Sequence, residues 1–411
     1  MSEERPIDGL KKSTTSKLFI LGALYLSQGL PYGFFVQALP VLLRNLGLSL
    51  GAIGMSSLLA IPWGLKFLWS PAVDRLWSAK LGRRKSWIVP AQLLSVLTLL
   101  VLAFIPLTRS LAWVLVFVFL SNAMTATQDI ATDGLSLDIM RPDERGLANG
   151  IKVSAYRGGM IIGGGALLAL YEHLGWKGSN FVMAALIVLA SVPMIVFREP
   201  LPSTEIARSD TKPFAFFNRL QAARILFVLV TYKLGDAFST GMLKPFFVDL
   251  GLTLAQIGFL VGTVGFLAGL FGAFVGGALV NRIGRRRSLV IFGLLQAAAV
   301  AGYAYMAYMH PSEFALAAVI ACEHFASGMA TAALFTCMMD WSSKESAATD
   351  YSIQASAVVV ATLLASSLSG LSANAFGYPC HFVIATVFAC VSVAVVLWTF
   401  PANAQDEMRS A

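Results

Sequence analysis

The chain has 411 residues, 57% of them hydrophobic and only 13% charged, with a net charge of +8 and a mean hydropathy of +0.73. Soluble domains carry about 25% charged residues, so this chain could not cover a water-facing surface. The excess of cations does not indicate nucleic acid either, because the cations sit in short turns between apolar runs.

The first 16 residues are polar and of mixed charge, unlike a cleaved signal peptide, and the first apolar run begins near Lys17. Runs of bilayer-spanning length, roughly 20 residues, follow at 18–43, 49–72, 87–107, 111–136, 146–170, 180–197, 224–248, 255–280, 289–309, 313–339, 350–375 and 380–400. Only helices and closed barrels satisfy their backbone in lipid. The expected fold is therefore an all-α membrane protein of twelve transmembrane helices in two pseudo-symmetric six-helix bundles. The bundles would cover residues 1–197 and 224–411, joined by a polar linker at 198–223, with a midplane cavity lined by spans 1, 2, 4, 5, 7, 8, 10 and 11.

The two-fold organisation is written in the chain. GLSLGAIG at 47–54 and GLTLAQIG at 251–258 nearly repeat each other, 204 positions apart. Each leads through an apolar run to a basic turn, Gly82-Arg-Arg-Lys85 or Gly284-Arg-Arg-Arg287, and then to Gln92 or Gln296. Internal repeats with a site between them are a common plan of secondary transporters.

Of the 30 cations, 22 fall on the termini and the loops of one side. The other side holds Arg44, Arg109 and Lys177, and five cations lie inside spans. The positive-inside rule then puts both termini, the linker and the basic turns in the cytoplasm.

An ionisable side chain inside a span costs at least about 2.5–3.5 kcal/mol, so it faces a polar cavity and finds a partner. The second span holds Lys66. The fourth holds Gln128, Asp129 and Asp133, the two acids four apart on one face. Like charges so placed raise each other's proton affinity. The fifth holds Lys152, Tyr156 and Arg157; the seventh holds Lys233, Asp236 and Lys244; the tenth holds Glu323 beside His324.

Asp129, Asp133, Asp236 and Glu323 are the candidate proton-coupling groups. Lys233–Asp236 reads equally as a structural ion pair. Five deep cations against four acids favour an anionic substrate, which Arg157, Lys233, Lys152, Lys66 and Lys244 would bind, with Tyr32, Gln28, Gln128, Tyr156 and His324 adding hydrogen bonds and stacking. Asp74, Arg75, Arg83, Arg84, Arg285 and Arg286 are the candidate gating residues; Asn281 stands where the second copy would need an acid.

The glycine clusters at 158–165 and 272–277 read as helix packing, and the four cysteines as buried small hydrophobes. The sequence has no phosphate loop, HExxH or GxSxG motif, so no enzyme chemistry, metal or cofactor is expected.

The turn Asp74-Arg75…Gly82-Arg-Arg-Lys85 resembles the loop between helices two and three of the major facilitator superfamily. LKFLWSPAVDR (65–75), QDIATDG (128–134), AYRGGM (155–160) and YKLGDAF (232–238) resemble the branch containing the AmpG-type muropeptide permeases and the acetyl-CoA transporters. Within it, LSQGLPYGFFVQALPVLLR (26–44), GMLKPFFVDLG (241–251), EHF (323–325) and MMD–TDYSIQAS (338–340 and 349–356) resemble RhtX/FptX-type siderophore permeases.

The interior acids and the lack of a nucleotide site point to transport driven by protons, and the resemblance implies a permease of the bacterial inner membrane, expected to act as a monomer. It would contact lipid, protons and a bulky anionic solute but no nucleic acid. The favoured substrate is a siderophore, with anhydromuropeptide import as the alternative. A non-transporting membrane sensor or scaffold is the alternative of another class, and it has no need of buried acids.

Overall fold

The computed structural model describes residues 13–46, 59–107, 110–199, 214–309 and 312–400. The first copy of the repeat, at 47–54, lies outside the described residues, as do Arg109 and residues 200–213 of the linker.

Helix α1 starts at Ser13, whose hydroxyl accepts from the Ser16 backbone N–H. It runs Thr14–Gly33 and passes through a π turn, Phe34–Ala38, into Leu39–Asn45. The described part of α2 comes in pieces, Ile61–Leu65, a 3₁₀ turn Lys66–Leu68 and Ser70–Arg75, and Pro62 and Pro71 each stand in the first turn of a piece. Then come α3 (Lys85–Leu102), α4 (Leu111–Ile139) and α5 (Arg145–Met160), which continues through a π turn, Ile161–Ala166, to Leu167–Ala169. Helix α6 is Tyr171–Val196, broken at Gly175.

Helix α7 is Ala222–Tyr232 and Leu234–Asp249, interrupted at Lys233. Helix α8 joins Leu254–Ile257, a π turn Gly258–Gly265 and Phe266–Ile283. Next are α9 (Arg285–Tyr308) and α10 (Glu313–Asp340). Ala347–Thr399 is one helical stretch only by hydrogen bonding. Gly377 breaks it with φ +72°, giving α11 (347–376) and α12 (378–399).

Nine helical stretches among the described residues are long and apolar enough to cross a membrane. The longest supplies two spans, α5 is depleted of apolar residues by its own polar groups, and α2 is described only in part, so the twelve expected helices are accounted for. Among the described residues the only extended pairing is an isolated bridge between Ser78 and Gly82.

Large apolar side chains stand exposed all around the bundle, among them Phe19, Leu97, Leu189, Phe271, Leu371 and Trp398. In lipid such a surface carries no cost. Three of the four cysteines share it: Cys322, Cys380 and Cys390 are exposed and only Cys337 is buried. The expectation of four buried cysteines fails because an apolar span presents small hydrophobes to lipid as readily as to the core.

Helix α5 packs against α1 in its own half and α8 in the other, while α11 packs against α2 and α7. At the α5–α8 seam the backbones touch. A Cβ on Gly277 would lie 2.5 Å from the Gly146 carbonyl oxygen and 2.7 Å from the Gly150 Cα. The linker is not wholly detached from the bundle. Phe216 is buried, and Arg219 donates to the Trp341 carbonyl (3.0 Å) and pairs with Asp350.

Candidate substrate and proton site

The deep charged groups form two clusters, one in each half. In the first, Lys66 sits at the break in α2, where a short 3₁₀ turn lets its side chain leave the helix toward α4. It pairs with Asp129 and lies 3.9 Å from Asp133. Asp133 also pairs with Lys152 of α5 and accepts from the Tyr25 hydroxyl (2.7 Å). The expected mutual repulsion of Asp129 and Asp133 is therefore answered by two lysines.

Lys152 is the hub between halves. Its Nζ donates to the Tyr351 hydroxyl of α11 (3.1 Å) and stands 4.5 Å from the Tyr351 ring centroid and 5.0 Å from those of Tyr25 and Phe335. Cation–π contacts of this kind strengthen where water is excluded.

In the second cluster, Lys233 occupies the break in α7 and pairs with Asp236. It also donates to Thr331 (3.2 Å) and Ser327 (3.4 Å), and Ser327 donates to Asp236 (3.2 Å). Glu323 is buried, contacts His324 (2.8 Å), accepts from the Tyr303 hydroxyl (3.4 Å) and lies close to Asp236. A carboxyl–carboxyl hydrogen bond requires a proton on one partner.

Arg157 reaches from α5 toward Asp236 and Glu323. Its Nη1 rests on Gly269 of α8, where a Cβ would come within 1.6 Å. Among the described residues it forms no ion pair.

Several expected site residues fall elsewhere. Lys244 is exposed on α7 and joins neither cluster. Without it the deep groups balance, Lys66, Lys152, Arg157 and Lys233 against Asp129, Asp133, Asp236 and Glu323. The surplus positive charge inferred from the sequence arises once one of these acids takes up a proton. Gln28 and Gln128 are buried interhelical ties, donating to Thr132 (3.1 Å) and Ser27 (3.0 Å). The Gln128 amide is spent on α1, while Gln28 Oε1 is buried without a partner among the described residues. Tyr32 and Tyr156 meet Trp63 edge to face, at centroid separations of 5.3 and 6.1 Å.

Four of the six candidate gating residues, Asp74, Arg83, Arg84 and Arg285, gather where the halves meet at the end carrying the basic turns. Asp74 accepts from Arg83 (3.1 Å) and Arg84 (2.7 Å), and across the seam from the Thr349 N–H (2.8 Å) and hydroxyl (2.6 Å). It caps the N-terminus of α11, where an anion is favoured. Arg83 donates to the Glu345 carbonyl (2.7 Å), also across the seam, and Arg84 pairs with Asp138 (2.7 Å).

The second copy finds its acid in Asp340. It pairs with Arg285 (2.7 Å) and with Arg145 of the first half (2.7 Å), while Arg285 donates to the Pro142 carbonyl (2.7 Å). Sequence reasoning looked for this acid at Asn281; the signal was the matched pair Asp138 and Asp340, both closing a span. Arg286 instead ties α9 to the Phe400 carbonyl within its own half, and Arg75 lies at the exposed end of α2. Glu199, which sequence reasoning missed, accepts from the Arg84 N–H (2.8 Å) and Lys85 N–H (2.8 Å) and so caps α3. Burial pushes its carboxyl above the usual range, although those N–H donors and Arg84 oppose the shift.

Glu144, in the turn between α4 and α5, holds the chain's first helix in place. It accepts from the Thr14 hydroxyl (2.6 Å) and Lys17 Nζ (3.1 Å). Burial would raise its carboxyl, but the hydrogen bonds from Thr14, the Arg141 N–H and Lys17 outweigh that and bring it down to about 2, from an ordinary 4.5. A depressed acid contributes stability above its unfolded value and loses it as pH falls through the folded one. The stability difference between the parent and Glu144→Gln should accordingly be full above about pH 5 and shrink toward zero between pH 4.5 and 2. Thermal unfolding across that range checks it; a difference that is flat with pH would remove the tether.

Comparison with known proteins bears on both halves. Residues 17–173 match the family model described as acetyl-coenzyme A transporter 1, and residues 225–411 match that of the major facilitator superfamily. The chain is 29% identical to the anhydromuropeptide permease of Escherichia coli K12, over 92% of this chain and 78% of that one. It is 30% identical to an uncharacterized protein of Haemophilus influenzae over 97% of each chain, and 28% identical to putative transporter AmpG 4 of Rickettsia conorii over 93% and 95%.

The fold matches the crystal structure of the transporter FucP in its outward conformation, with a TM-score of 0.73 at 14% identity over 94% of this chain and 99% of that one. One of these relatives is an anhydromuropeptide permease and another a putative AmpG transporter, and none of the three supports the siderophore resemblance. Matched models in both halves, full-length relatives and a shared helical fold lead to one conclusion: the chain belongs to the major facilitator superfamily, in its AmpG-like and acetyl-coenzyme A transporter branch, and is a multi-pass membrane transporter, not an enzyme.

Proposed function

We propose that this transporter imports a bulky anionic solute of the anhydromuropeptide class across a bacterial inner membrane, driven by protons. The basic end would face the cytoplasm, and the bundles 1–197 and 224–411 would rock about the linker as one monomer. The observation that carries the anionic substrate is Arg157, the one deep cation without an ion pair among the described residues. It is left to take a substrate carboxylate, for which its planar fork is suited.

The second cluster supplies the coupling. A proton shared by Asp236 and Glu323 leaves four deep cations against three carboxylates, so the cavity turns positive and admits an anion. Release of the proton restores the balance and weakens its hold. Asp129 and Asp133, each neutralised by a lysine, would relay the change to the halves through Lys152 and Tyr351.

The test is uptake of labelled anhydromuropeptide against labelled ferric siderophore, in cells lacking their own permeases and with pH imposed across the membrane. Uptake of the siderophore alone would overturn the substrate assignment. Glu323→Gln should abolish the response to imposed pH; a full response in that variant would remove the dyad from coupling. Arg157→Lys should raise the apparent KM at least tenfold, while the neighbouring Met160→Leu should change it less than about threefold. Equal KM values in the two variants would make Arg157 a structural cation.

A further inference from the structure

Trp63 of α2, Tyr32 of α1 and Tyr156 of α5 form a closed triangle of rings. Their centroids are 5.3, 5.7 and 6.1 Å apart, and each ring is only partly buried. In the other half the rings beside Glu323, Tyr303 with Phe382 and Phe246, are by contrast buried. The Trp63 indole N–H donates to Asn122 Oδ1 of α4 (3.4 Å). Because the indole can only donate, the amide orientation is set, and Nδ2 is the free arm. Asn122 is 3% exposed, and its Nδ2 has no partner among the described residues. A buried amide donor left unpaired beside a ring surface is costly unless a ligand acceptor meets it.

Asn122 and Asp129 are seven residues apart, on one face of α4 and about 10 Å apart along it. Trp63 lies beside Lys66, whose Nζ is 5.9 Å from its ring centroid, and Tyr156 precedes Arg157. An uncharged subsite therefore stands about 10 Å along α4 from the Lys66–Asp129 pair and borders Arg157 through Tyr156.

We propose that Tyr32, Trp63, Tyr156 and Asn122 form the subsite for an N-acylated amino sugar. The sugar's C–H face lies on the electron-rich ring faces, and its acyl carbonyl accepts from Asn122 Nδ2. This rests on the anhydromuropeptide reading and adds that the two parts of such a substrate are recognised separately, sugar by the first half and peptide carboxylate at Arg157.

The probes are the anhydro amino sugar freed of its peptide, its deacetylated form, the free peptide and a catechol, each as competitor of labelled anhydromuropeptide uptake. The sugar should compete in the parent. Trp63→Leu should weaken that competition at least tenfold and Trp63→Phe less than threefold, since the ring is kept. Asn122→Asp keeps the acceptor for the indole and removes the donor. It should weaken the acetylated sugar about tenfold and not weaken the deacetylated sugar, whose ammonium the new carboxylate attracts.

Competition by the sugar that is equal in the parent and Trp63→Leu overturns the proposal. So does competition by catechol, but not by sugar, that depends on Trp63. If the parent takes up no anhydromuropeptide, the functional reading fails instead. The subsite is then judged from binding alone, by whether the sugar quenches parent tryptophan fluorescence more than that of Trp63→Phe; equal quenching would sink it.

Discussion

Asp133→Ala should abolish transport and lower the stability of the folded protein by about 3–5 kcal/mol, the usual cost of stranding a buried charge. Asp133 is 2% exposed and ties Lys152, Lys66 and Tyr25 together. Its removal leaves Lys152 among three aromatic rings with no carboxylate. The double variant Asp133→Ala/Lys152→Met should regain most of the lost stability, since methionine fills the space of the lysine stem without its charge, but no transport. Thermal unfolding of purified protein, run beside uptake, separates the two roles. Recovery of transport in the double variant would reduce the cluster to a structural tie. Unchanged stability in Asp133→Ala would mean that the acid carries no charge in the resting protein.

Gly277→Val should hold the basic end open. The Gly277 Cα sits against Gly146 and Gly150 at the α5–α8 seam, with a would-be Cβ at 2.5 Å from backbone oxygen and 2.7 Å from backbone carbon. Neither atom can move without its helix, so the wedge must part the halves. Parting them also breaks the Arg145–Asp340 pair and the Arg285 bond to Pro142.

A cysteine at Ser154, which bonds across the seam to the Leu270 carbonyl (2.9 Å), reports the opening. In a background stripped of the four native cysteines, its labelling by a membrane-impermeant thiol reagent should rise at least tenfold from the basic side. Uptake should fall by a similar factor, because one state is over-populated. Labelling equal to that of the parent would place the hinge of opening elsewhere.

Much of this protein was legible in the chain because lipid leaves few choices. Twelve apolar runs with polar turns between them dictate a helical bundle, since no other open structure satisfies its backbone there. The two basic turns, Gly82-Arg-Arg-Lys85 and Gly284-Arg-Arg-Arg287, mark corresponding ends of the two halves whatever the packing. The cost of burying charge also singles out Lys66, Asp129, Asp133, Lys152, Arg157, Lys233, Asp236 and Glu323 without any coordinates.

Tertiary structure alone decided who partners whom. Lys152 lies 19 positions from Asp133 and 199 from Tyr351 yet binds both, and Asp340 meets an arginine in the opposite half. The breaks at Lys66 and Lys233 carry no Gly or Pro at the lysine itself, so local propensity did not mark them. Lys244 looked like its neighbours but faces outward, and Gln28 and Gln128 spend their hydrogen bonds on adjacent helices. Composition and periodicity fix which groups must be buried together with water or with one another. The choice among the many pairings that meet that demand depends on how the helices cross, and in this chain close approaches such as Gly277 on Gly146 and Gly150 set those crossings.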